Sequence, residues 1–299
     1  MDEVSGAGRP DILGESNMRR RVFLLAAAAT PFIGGLSFAT EPRVIPLDLS
    51  RRQPRVRLSI NGVDRGEAIF DTGAFGGTIH RPLAEELGLP NNEPVEVTSG
   101  AGGEPIQAFM TTVPNAAING VPVANFSAAA LPMVRPDTIA VLSPAMFAGE
   151  LVVLDFGDGE MRILPKTAET LPSSAPVPYT SGDYPLPGIP LELPGGVSML
   201  AHLDTGSPAS IMLPHDLAST LPLSTPLQEV GRARMINTER VIYRATLAGE
   251  ARVGPLTLTN PQLTFMEGFS HGNIGMELLR QLNITLDPAE RRLWLAAHG

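Results

Sequence analysis

From residue 56 the apolar side chains Val56, Leu58 and Ile60 alternate with Arg57 and Ser59, and after Asn61-Gly62 a second apolar run ends on Phe70. Period-two alternation on either side of a glycine turn predicts a β-hairpin with one buried face. The stretch "IPLELPGGVSMLAHL", residues 189 to 203, repeats the arrangement with Ile189, Leu191 and Leu193 around Gly195-Gly196. Each hairpin runs into the same tripeptide, Asp71-Thr72-Gly73 and Asp204-Thr205-Gly206. Each is then followed by a short helical pattern, "TIHRPLAEELGL" and "IMLPHDLASTLPL".

The similarity extends outward, so the repeat organises the chain. Residues 141 to 164, "VLSPAMFAGELVVLDFGDGEMRIL", resemble residues 273 to 295, "NIGMELLRQLNITLDPAERRLWL". Asp71 and Asp204 stand 133 apart and Asp155 and Asp287 stand 132 apart, so nearly one shift aligns both halves. The segment 166–178 is rich in Pro, Ser and Thr, lacks sustained periodicity and reads as a linker. Two lobes follow, 40–165 and 179–299. In each the expected order is a hairpin, the Asp-Thr-Gly turn, a helix, a glycine-containing hairpin, a buried apolar turn and a closing hairpin, which makes a small closed β-structure.

Composition agrees with an all-β reading: 29 Pro and 30 Gly accompany few long helix-period stretches, and 43% hydrophobic residues supply cores for two domains. The net charge of −9, with no Lys/Arg-rich run after residue 57, argues against a nucleic-acid partner. The chain has no cysteine, hence no disulfide and no thiolate metal site. His80, His202, His215, His271 and His298 show no metal-ligand spacing and read as surface or turn residues; no metal and no cofactor is expected.

Residues 1–39 read as an export signal that is cleaved. A basic start precedes an apolar stretch from Val22, and Ser37 and Ala39 suit a signal-peptidase site. Arg20, Arg21, Phe23 and Leu24 resemble the twin-arginine pattern, although a general secretory signal also tolerates three arginines. Pro31, Gly34 and Gly35 interrupt the stretch, which falls short of the roughly 20 apolar residues a spanning helix requires. No stable membrane span is expected after cleavage, and the location expected is periplasmic or secreted. The start lies at Met1 or at Met18.

A duplicated Asp-Thr-Gly at matching places in two repeated lobes resembles the aspartic proteases, specifically a single-chain, two-lobe relative of the retropepsins, over roughly residues 45 to 297. The resemblance implies two β-barrel lobes with a cleft between them, in which Asp71 and Asp204 meet across a pseudo-twofold axis. Carboxylates about 3 Å apart cannot both ionise cheaply and share a proton, so one serves as base and the other as acid. By resemblance the pair activates a water for attack on a peptide carbonyl, with no covalent intermediate. Thr72 and Thr205 would bond across the interface to the other loop's backbone, and Gly73 and Gly206 would allow a tight turn and close approach of N–H groups to the carboxylates. The following residues differ. A Ser207 hydroxyl bonded to its neighbouring carboxylate, with Ala74 in the other lobe, would leave Asp71 the protonated member.

The family's flap, a glycine-rich hairpin over the cleft, fits "TSGAGGEPI" with Gly100, Gly102 and Gly103. In the second lobe "EVGRARMINTERVIY" stands at the equivalent place with Gly231 alone, and reads either as a second flap or as an exposed hairpin with solvated arginines. The family's apolar-apolar-glycine element, packed under the catalytic loop, matches Gly275. In the first lobe Ser143 takes that position, where it is accommodated as a small residue or displaces the Asp71 loop. Asp155 and Asp287 read as bonding local backbone, and Trp294 with Leu293 and Leu295 as packing the last strand. Phe70 and Phe75 read as core or pocket lining.

The function expected is an exported aspartic endopeptidase acting on extended polypeptide, monomeric because both half-sites lie in one chain. The alternative is a non-catalytic peptide- or polymer-binding scaffold of the same fold.

Overall fold

The structure is a computed structural model that describes residues 41–100, 102–132, 137–180, 185–235 and 237–298. The expected export segment, with Arg20, Arg21 and Met18, lies outside the described residues. Among them no helix is long and apolar enough to cross a membrane.

The alternation read from the sequence sets the strands. In Arg55–Ile60 the side chains of Val56, Leu58 and Ile60 are buried while Arg57 faces water. The turn after it is made by Asn61 and Gly62, both at positive φ, which matches the right-handed twist of the flanking strands. Strand Val63–Phe70 then delivers the chain to Asp71, and strand Val197–Asp204 ends on the second aspartate.

Two nine-stranded sheets result, and they are copies of each other. The first runs in the order 93–99, 102–113, 126–131, 77–80, 140–142, 63–70, 55–60, 116–118 and 121–122. The second runs in the order 228–234, 239–246, 262–266, 211–214, 272–275, 197–204, 188–193, 250–253 and 256–259, place for place the same. In each, a short strand lies parallel to the one that carries the aspartate, with Leu142 beside Phe70 and Ile274 beside Leu203. This clamps the end of the aspartate strand from a neighbour far away in sequence. After the first Asp-Thr-Gly turn comes an α-helix, Arg81–Glu86, and after the second a 3-10 helix, His215–Ser219.

The closing hairpins differ from the expected separate closures. Glu150–Asp155 and Leu282–Asp287 pair antiparallel with each other, and with their partners form one six-stranded sheet shared by both lobes. Val153 stands opposite Thr285, its own counterpart 132 residues on, so the pseudo-twofold axis passes between these two residues. Buried side chains of both lobes accordingly share one continuous apolar cluster, from Ile45 through Phe70 and Leu203 to Leu293, with smaller clusters beside it under each flap-like hairpin.

Asp155 and Asp287 close equivalent turns. Asp155 accepts the N–H of Asp158 and Asp287 that of Glu290, each at 3.1 Å, and each carboxylate pairs with an arginine, Arg162 and Arg292. Asp287 also holds Lys166 at 2.8 Å, and Trp294 donates its indole N–H to the carbonyl of Ser174, so the stretch expected as a linker is fastened to the shared sheet. Within it Val177–Pro178 adds an edge strand. Burial alone would raise the Asp287 pKa, yet hydrogen bonds from Lys166 and Arg292 hold its carboxyl below the usual carboxylate range. A depressed folded pKa adds stability that is complete above the unfolded value of about 3.9 and is lost as pH falls through the folded value. Asp287→Ala is therefore expected to cost about 2–3 kcal/mol at pH 7 and progressively less towards pH 2, read from urea melts of both proteins across that range.

Candidate active site

Each aspartate follows a buried strand and sits on a turn closed by the backbone: Ala74 N–H donates to the Asp71 carbonyl at 3.4 Å, and Ser207 N–H to the Asp204 carbonyl at 3.1 Å. The two turns are locked by the threonines. Thr72 donates its hydroxyl to the carbonyl of Leu203 and Thr205 to that of Phe70, both at 2.6 Å. Each hydroxyl also accepts the other threonine's N–H, at 3.0 and 3.1 Å. All four groups are buried and satisfied, so the loops are held at fixed separation by a symmetric set of bonds made by two side chains.

The glycines are required by the opposite loop. A β-carbon on Gly73 would lie 2.6 Å from Cγ of Asp204, and one on Gly206 would lie 2.6 Å from Cγ of Asp71. Each loop can approach the other's carboxylate only because it carries no side chain there. Gly73 and Gly206 both point N–H groups at Oδ1 of Asp71, at 2.8 and 3.2 Å.

The carboxyls influence one another. Asp71 is raised well above its ordinary pKa, first by desolvation and next by the charge of Asp204. Desolvation also raises Asp204, but a hydrogen bond from the Asn273 amide to its Oδ2 and another from Asp71 favour its charged form. Both carboxyls are raised, Asp71 the more strongly, so the pair shares a proton that the surroundings favour on Asp71. The asymmetry was expected from Ser207, but the structure gives that hydroxyl another partner. The Ser207 hydroxyl accepts the N–H of Ala209 at 3.4 Å, and it is Asn273, absent from the sequence reading, that marks Asp204. Gln53 is a second residue the sequence did not point to; its amide reaches from the first lobe to the carbonyl of Gly206.

Beneath the loops, Gly275 has no room for a side chain: a β-carbon there would lie 2.7 Å from the Ser207 carbonyl. Ser143, its counterpart, is buried and fits. Its hydroxyl donates to the carbonyl of Ala74 at 2.8 Å and accepts the N–H of Ala145 at 3.3 Å, so it supports the Asp71 loop. Ser143→Leu is expected to overpack this place and lower turnover by at least tenfold, whereas Ser143→Gly loses about 1 kcal/mol of stability. Kinetics and melting of both proteins check this, and normal turnover in the Leu protein would refute the support role.

The hairpin 93–113 carries Gly100 and Gly102 at its tip, with Gly102 and Gly103 at positive φ. Gly231 is not at a tip. It sits at a β-bulge within Gln228–Arg234, and the second hairpin turns instead near Met235 and Thr238. That hairpin is nonetheless more than a solvated one, because Asn237 donates to the carbonyl of Glu104 at 2.7 Å and so joins the two tips. Glu104 and Asn237 are themselves 133 residues apart, which puts this contact on the same axis as the threonines and the shared sheet.

The histidines correct the sequence reading in part. His202 and His271 stack with ring centroids 3.8 Å apart, and His271 lies within the electrostatic reach of Asp204, so these two belong to the site. His80 precedes the helix, His215 packs on Tyr243, and His298 lies against Gly157. Phe70 is core, tilted against Phe147, and Phe75 is half-buried beside the Asp71 loop. Among the described residues no group of three or more His, Asp or Glu is placed to hold a metal.

No curated protein matches the chain. The sequence model of the family described as Aspartyl protease matches twice, at residues 56–142 and 189–278, once over each nine-stranded sheet and its aspartate. Together the two matches cover more than half the chain, and the protein belongs to the aspartyl protease family.

Proposed function

We propose that the protein is an exported aspartic endopeptidase that hydrolyses peptide bonds with a water activated by Asp71 and Asp204. The observation that carries this reading is the bonded carboxyl pair, whose environments favour a proton on one member and a charge on the other. In the reaction the charged Asp204 takes a proton from water as its oxygen bonds to the peptide carbonyl carbon. Asp71 gives its proton to the carbonyl oxygen. Collapse of the tetrahedral diol then breaks the C–N bond, with the departing nitrogen protonated by Asp204 and the diol hydroxyl returning its proton to Asp71, so the pair ends as it began.

The fixed loops supply the positioning this chemistry needs, and the joined hairpin tips supply a cover over an extended substrate. Both half-sites belong to one chain, which supports a monomer. Export is inferred from residues 1–39 alone and is tested by N-terminal sequencing of the protein in envelope fractions, where a start near Thr40 is expected and an intact Met1 or Met18 refutes cleavage. For the activity, peptide libraries should be cut, and a pepstatin-like transition-state mimic should stop the cutting. Libraries that are bound but left intact would favour a binding scaffold instead.

A further inference from the structure

The two lobes agree in strand order but not in what they place beside their aspartates. Two residues before Asp71 stands Ile69, and two before Asp204 stands His202; alternation puts each on the same strand face as its aspartate. The neighbouring strands continue the contrast. Ile69 is in register with Val141, and His202 with Asn273. Two positions earlier come Ile139 in the first lobe and His271 in the second. The first lobe thus presents an isoleucine pair and a valine where the second presents two imidazoles and an amide.

The second set is poised towards a ligand. Asn273 is 5% exposed and spends its amide N–H on Asp204, while its buried Oδ1 has no hydrogen-bond partner. An unpaired buried acceptor is costly until something donates to it. The stacked rings of His202 and His271, both half-buried, form the adjoining wall. A peptide lying across the dyad puts one side chain on each side of the scissile bond, and the pseudo-twofold axis relates the two places that receive them.

We propose that these two places select different classes of residue: the first lobe takes an apolar side chain beside Ile69, Ile139 and Val141, and the second takes a neutral hydrogen-bond donor, an amide or hydroxyl, beside His202, His271 and Asn273. This rests on the endopeptidase reading, and it means cleavage between one residue of each class in a fixed order. Charged side chains fit the second place poorly. Desolvation pushes His202 down to about 4 and lowers His271 by more than the Asp204 charge raises it, so a substrate ammonium would meet a net desolvation penalty, and a carboxylate would meet both that penalty and the Asp204 charge. A neutral donor satisfies Asn273 at neither cost.

The test is digestion of proteome-derived peptide libraries by the full-length protein, which reports the residues on both sides of each cut. One side should be apolar and the other Asn, Gln, Ser or Thr, always in the same order. The triple variant His202→Ile, His271→Ile, Asn273→Val carries the first lobe's residues and should cut between two apolar residues. For a peptide pair differing by Gln or Leu at this place, its kcat/KM ratio should fall by about tenfold or more. If circular dichroism shows that the triple variant does not fold, His202→Ile alone should move the ratio the same way by a smaller factor. Apolar residues on both sides of wild-type cuts, or an unmoved ratio in a folded variant, overturns the proposal. Failure to cut any peptide counts against the endopeptidase reading, so the same pair is also measured for binding to the Asp71→Asn protein. A Gln preference of about tenfold there upholds the half-site assignment, and equal binding overturns it.

Discussion

Asp71→Asn and Asp204→Asn are each expected to lower kcat by about 10⁴-fold, with the double variant scarcely worse than either single, because one water is activated by both carboxyls acting as a unit. Either single variant with near wild-type turnover would end the two-carboxylate mechanism. Stability should move the other way. Burial and the Asp204 charge raise the folded pKa of Asp71 above its unfolded value. The group is therefore least unfavourable below its unfolded pKa of about 3.9, and stability is lost as pH rises through the folded value. Asn needs no proton taken up on folding, so the Asp71→Asn protein should melt above the wild type at pH 7, and the gap should narrow towards pH 3.5. Calorimetry across that range reads both the sign and the window. A variant that melts below the wild type at neutral pH would show that the carboxyl is not held against its own desolvation.

The second large effect is expected at the threonines. Thr72→Val keeps the shape but removes a hydroxyl that donates to Leu203 and accepts from Thr205, leaving a carbonyl and an N–H buried without partners. The cost is about 3 kcal/mol, or a melting temperature lower by about 5–10 °C, together with a loss of turnover of about 100-fold as the loops lose their spacing. Thr205→Val should match it, since its bonds are the mirror set. Thr→Ser at either place keeps the hydroxyl and should preserve most of both. A valine variant that melts within a degree of the wild type would show that the loops are positioned by something else.

The features legible in the sequence were those fixed by local pattern. Alternation at Val56, Leu58 and Ile60, turn residues at Asn61-Gly62, and repetition of Asp-Thr-Gly at a constant shift all follow from neighbours in the chain. Asn273 and His271 escaped because their meaning comes from a strand laid beside Val197–Asp204 from some 70 residues away; the sequence marked the element for Gly275 and gave no sign that the residues two and four places earlier face the aspartate. The place of Gly231 within its hairpin was hidden for a related reason. Glycine marks conformational freedom, and a bulge uses that freedom as readily as a tip does. The pairing of Glu150–Asp155 with Leu282–Asp287 was hidden because two closing hairpins of equal pattern say nothing about whether each closes on itself or on the other.

The central pairing of Glu150–Asp155 with Leu282–Asp287 bears on how the protein behaves in dilute solution. Where two separate subunits build a site, dilution dissolves it, and specific activity falls with protein concentration. Here the halves meet through strands of one chain, and the fastened stretch between them keeps their mutual concentration high at any dilution. Specific activity should hold constant down to the lowest measurable concentration. Being obliged to stay together, the halves are also released from being alike: a change such as valine to asparagine in one lobe is not copied into the other, as it would be in a dimer of identical chains.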